Sequence, residues 1–99
     1  MAFQYQFEWD SAKARQNSRK HRVTFERGAT VFLDPNALSL FDEPHSEVEE
    51  RWITLGLDHT GMLLIVCHTY HEETENSARV RVISVRKATK KETRQYQRK

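Results

Sequence analysis

The sequence is short of several things that small proteins often rely on. Among 99 residues there is one cysteine, Cys67. No disulfide can form within the chain, and the expected setting is a reducing cytoplasm. No apolar run approaches the ~20 residues of a membrane span, so no membrane partner is expected. The opening MAFQYQFEWD lacks a basic stretch followed by an apolar one, so no secretory leader is expected. The three glycines, Gly28, Gly56 and Gly61, stand apart and build no phosphate-cradling loop. No serine sits in a GxSxG setting. Five histidines occur without an HExxH or CxxC pattern, and His68 and His71 at strand spacing would point to opposite faces. No metal and no cofactor are therefore expected.

What is present reads as one folded domain spanning residues 1–99. Ten aromatic residues argue against disorder. The apolar fraction of 37% is low and the charged fraction of 30% is high, which suits one modest core. Net charge is only +2, but the charges are segregated. Six cations lie between Lys13 and Arg27 against Glu26 alone, and six acids with no Lys or Arg lie between Asp34 and Glu50. From Arg79 onward cations dominate again, with Glu92 the one acid. This pattern can build a basic face for a polyanion and an acidic segment set away from it.

Local signals place the elements. Phe3, Tyr5, Phe7 and Trp9 alternate with polar residues, a half-buried strand. Asp10 caps a helix through about Lys20, on which Asp10, Lys13, Asn17 and Lys20 form one polar stripe. Such a stripe is either an exposed face or the border of a ligand site. Thr24 caps a second helix, stopped by Asp34-Pro35. LSLF is a short strand, RWITLGLD and MLLIVCHTY form a hairpin around HTG, and HEETENS is a polar loop. ARVRVISV is the last strand, and Thr89 caps a charged terminal helix. The order β-α-α-β-β-β-β-α implies an α+β fold, an antiparallel meander with flanking helices.

The chemistry left open is that of cations and histidines. Cleavage of RNA without metal uses the ribose 2′-hydroxyl as its own nucleophile, so the protein need supply only a base, an acid and positive charge. A basic concave sheet would hold the phosphate backbone, with Trp or Tyr available to stack bases. By strict alternation Arg81 and Arg86 point to opposite faces, unless a bulge falls near Val85.

Taken in order, the blocks FEWD, KH, VTFE, HSEVEERW and ISVRKATKKE resemble the BrnT family of toxins over nearly the whole chain. The resemblance implies a RelE-like ribonuclease fold and RNA cleavage that stops translation. It also implies neutralisation by a BrnA-type antitoxin, through which alone operator DNA is contacted. Carried over by position, Lys20 and Arg86 fit the cations expected to matter for toxicity, and Arg81 matches the terminal strand motif. Two departures stand out. Arg22 occupies the place after KH where the family usually has glycine, and His71 occupies an arginine position. The expected catalytic set is thus Lys20, His71 and Arg86, with Arg79, Arg81, Lys87 and Tyr70 binding RNA. The competing expectation is a catalytically degenerate module that acts through antitoxin binding and operator repression.

Overall fold

The computed structural model describes residues 2–98. The aromatic alternation becomes strand β1 (Gln4–Glu8), with Tyr5 and Phe7 half-buried and the residues between them exposed. The Asp10 carboxylate accepts the Lys13 N–H at 2.9 Å and starts helix α1 (Ser11–His21). Thr24 caps helix α2 (Phe25–Thr30) in the same way, and a 3₁₀ turn over Val31–Leu33 leads to the stop at Asp34. Strands β2 (Leu38–Phe41), β3 (Arg51–Leu57), β4 (Leu63–Thr69), β5 (His71–Thr74) and β6 (Ser77–Lys87) follow. Helix α3 (Lys90–Gln97) begins on a reciprocal capping box between Thr89 and Glu92.

The α+β class stands, but the sheet is mixed rather than wholly antiparallel. Its strand order is β1-β6-β4-β3-β2, and β1 runs parallel to β6. Alternation in β1 says which face is apolar but not which neighbour the strand takes or in what direction. The HEETENS segment is not a loop either. β5 pairs with the start of β6, and Thr74 Oγ1 accepts the Asn76 N–H at 3.1 Å in the turn. All four β5 residues are exposed, so no apolar alternation marked the strand. Because β4 and β5 both pair antiparallel with β6, they behave as one strand broken at Tyr70.

β6 carries a bulge. Cys67 pairs with Ser84 while His68 pairs with Val82, which leaves Ile83 as the extra residue. Val80, Val82 and Val85 are consequently all buried, and Arg79, Arg81 and Arg86 all face away from them. The face bearing the valines packs on the helices. Val23, Phe25, Val31, Leu64, Val66, Val82 and Val85 form its core, with Phe7, Trp9, Ala14 and Phe32 around it. Each such side chain contributes about 1.5–3 kcal/mol on burial. Gly28 lets α2 approach this layer, since a Cβ there would lie 2.5 Å from Val85 Cγ2.

The polar stripe of α1 is structural at two of its four positions. Asp10 is the cap, and Asn17 is buried, its amide donating to the Val85 carbonyl at 2.8 Å and accepting the Val85 N–H at 3.2 Å. Asn17 thereby completes the side of β6 that lies beyond the end of β1. Across the sheet, α3 lies against β3 and is tied down by Tyr96, whose hydroxyl donates to Asp34 Oδ2 at 2.6 Å.

Candidate active site

Strand register assembles a charged group on the face away from the core. Arg79 sits between His71 of β5 and Gln6 of β1, and Arg81 sits beside Glu8. Arg51 pairs with Thr69 at the neighbouring end of β3. The segment before β3 folds back on itself, with Ser46 Oγ donating to the Asp42 carbonyl and accepting the Arg51 N–H at 3.0 Å. This bend delivers Glu49 and Glu50 to the same place. The result is an open cavity of about 380 Å³ lined by Glu8, Glu49, Glu50, Thr69, Tyr70, His71, Arg79 and Arg81.

Its cations are matched by carboxylates. Glu49 contacts Arg81 and lies 3.8 Å from Arg51, whose Nε is buried without a hydrogen-bond partner. Arg79 pairs with Glu73 and lies 3.5 Å from Glu8. His71 is exposed at the rim. The acidic segment expected to lie away from the basic face thus sends Glu49 and Glu50 into it.

A second group lies along β6 from the first. Arg86 is about 15 Å from Arg81 by strand rise. Its two terminal nitrogens donate to the two oxygens of Glu92 at 2.8 Å each. That bidentate bond raises Arg86 above the ordinary arginine range and holds Glu92 at about 2. Lys87 is exposed next to it. Lys20 is exposed one helical turn beyond Asn17, which is anchored at Val85, so it belongs to this end of β6.

The seven residues expected from sequence therefore divide. His71, Arg79, Arg81 and Tyr70 share one cavity, whereas Lys20, Arg86 and Lys87 do not reach it. Sequence reasoning missed Glu49 and Glu8 in the cavity. Glu49 stood inside the HSEVEERW block, the one signal that could have found it. Among the described residues, no group of three or more His, Cys, Asp or Glu is placed to hold a metal ion. What the cavity offers is three carboxylates, an imidazole and two guanidiniums within one opening, which include the parts of a general acid–base site for a phosphate ester.

Residues 9–92 match the family model described as the ribonuclease toxin BrnT of type II toxin–antitoxin systems. The chain belongs to the BrnT family. It is also similar in fold to the crystal structure of the Brucella abortus ribonuclease toxin BrnT, with a TM-score of 0.58 at 18% identity, over 90% of this chain and all of that one. No curated protein matches it by sequence. Membership makes this BrnT relative a ribonuclease toxin by family and implies an antitoxin partner. No helix among its described residues is long and apolar enough to cross a membrane.

Proposed function

We propose that the protein is a metal-independent endoribonuclease of RelE-like design that stops translation in the cytoplasm. Its reaction centre is the cavity of Glu49, His71, Arg79 and Arg81. A phosphate entering there competes with Glu49 for Arg81. The released carboxylate takes the proton of the ribose 2′-hydroxyl, whose oxygen attacks the adjacent phosphorus. As the P–O5′ bond breaks, protonated His71 gives its proton to the 5′ oxygen, leaving a 2′,3′-cyclic phosphate. Arg79 and Arg81 stabilise the charge on the phosphorane oxygens. Tyr70 stacks a base at the rim. Lys20 and Lys87 steer the RNA backbone from the other end of β6, and Arg86 joins them when Glu92 gives it up. A BrnA-type antitoxin silences the protein and alone contacts operator DNA.

The observation that carries this reading is the convergence of His71 with Arg79 and Arg81 beside the Glu49 carboxylate. The same ion pairs favour one second reading. With both cavity arginines already neutralised, the chain could be a degenerate module that binds only its antitoxin. Labelled RNA incubated with the purified protein in EDTA separates the two. The ribonuclease reading expects cleavage to cyclic-phosphate ends, reduced about 10²–10⁴-fold in Glu49→Gln and in His71→Ala. A folded native chain that leaves RNA intact, with ribosomes also supplied, would establish the binding module.

A further inference from the structure

A second hollow opens on the other side of the sheet from the charged cavity, and Tyr70 lines both. It has a volume of about 430 Å³, within the range of small-molecule sites. Its walls are flat rings: Tyr5 from β1, Phe32 after α2, Trp52 from β3, and Tyr70 at the β4–β5 break. Tyr5 and Phe32 are 5.3 Å apart between centroids, and Trp52 is propped edge-on by Phe41 at the same distance. These contacts brace the rings against one another, and a hollow lined by four braced aromatic side chains suits a planar ring, which can lie against a ring face, better than a flexible chain.

The polar groups at the hollow have a fixed sense. His68 Nδ1 lies 2.9 Å from the Thr69 carbonyl, which only accepts, so Nδ1 carries the proton. Burial keeps the ring neutral, so Nε2 is an acceptor. Thr54 therefore donates to Nε2 at 2.6 Å and must accept from Ser39 at 2.8 Å. Ser39 has no proton left and turns only lone pairs toward the hollow. Glu72, which by register lies in the same row as Tyr5, adds a carboxylate. Both fixed groups accept, while the tyrosine hydroxyls rotate and adapt to either role.

We propose that this hollow is a nucleobase site that selects a base presenting adjacent N–H donors, guanine above all, and disfavours uracil. Guanine offers its ring N–H and its amino group side by side, a match for the two oxygens of Glu72. Uracil offers one N–H flanked by carbonyls, which Glu72 and Ser39 repel. The inference rests on the ribonuclease reading for the source of the base, a nucleotide neighbouring the phosphate held across Tyr70. It adds a specificity site that the cleavage chemistry does not require.

The test uses the full chain and ligands that cannot be cleaved. Amide chemical shifts of isotope-labelled protein are followed on titration with guanosine 5′-monophosphate, uridine 5′-monophosphate and inorganic phosphate. The expected result is saturable movement at Ser39, Thr54, Tyr70 and Glu72 with the guanosine ligand, at least about ten-fold tighter than with uridine. Glu72→Gln, an exposed change that leaves the fold intact, should bring the two nucleotides to within about three-fold of each other. Equal affinity for both nucleotides in the native chain, or competition by phosphate alone that removes every shift, would overturn the site. So would the absence of saturable binding. Cleavage is not read, so a chain that binds the guanosine ligand but never cuts RNA sinks the ribonuclease reading and leaves this one standing.

Discussion

Arg22 closes α1 in the left-handed region at φ 59°, a conformation that costs an L-residue about 1–2 kcal/mol and glycine almost nothing. Glycine would hold this position without strain, which fits the glycine that the family resemblance implies after KH, and this chain accepts the strain. Arg22→Gly is expected to raise stability by about 1 kcal/mol, read as an upward shift of the urea midpoint at constant slope. An unchanged or lower midpoint would show that the Arg22 side chain makes up the difference. Cap residues were readable at this scale because each cap bond spans three residues: Asp10, Thr24 and Thr89 all do what their sequence context indicates. Glu49 was not readable, since its partner Arg81 is 32 positions away.

Among the elements, β6 decides most. Its bulge at Ile83 turns an alternation that would have split the arginines into one that puts Arg79, Arg81 and Arg86 on a single face. Asn17 docks α1 onto the same strand with two hydrogen bonds to Val85. Removing that amide leaves a buried N–H and C=O without partners, so Asn17→Ala should cost about 2–4 kcal/mol by urea unfolding. A loss below about 0.5 kcal/mol would mean that water replaces the amide easily and that the docking is weak. The stripe to which Asn17 belongs looked like one polar surface, because periodicity reports a direction around the helix and not what waits there.

For the whole molecule, two low carboxylates join distant parts. Burial would push Asp58 up, but hydrogen bonds from Thr60, Met62 and Arg27 prevail and hold it at about 2, locking α2 to the β3–β4 turn. Glu92, held at about 2 chiefly by Arg86, locks α3 to β6. Both values lie below the ordinary 3.8 and 4.5, so each group stabilises the fold above its ordinary value. That contribution is lost as pH falls toward about 2. Unfolding followed against pH should therefore show stability level above about pH 5 and falling from about pH 4.5 to 2. The buried Asp58 alone accounts for about 2 kcal/mol of the fall. Glu92→Gln should flatten part of the slope; an unaltered slope would show that its pair with Arg86 gives no net stability.

By itself the sequence determined most of the element types, their caps, the apolar faces and the family, because these follow from contacts a few residues long or from blocks read in order. The tertiary structure alone decided the rest. It set β1 parallel to β6 and paired an all-polar segment as β5. It brought Glu49 to Arg81 and parted Lys20 and Arg86 from His71. The physical reason is one of range. A strand's pattern fixes which side is dry, whereas its neighbour, its direction and its ion-pair partners depend on groups that only the closed chain brings together.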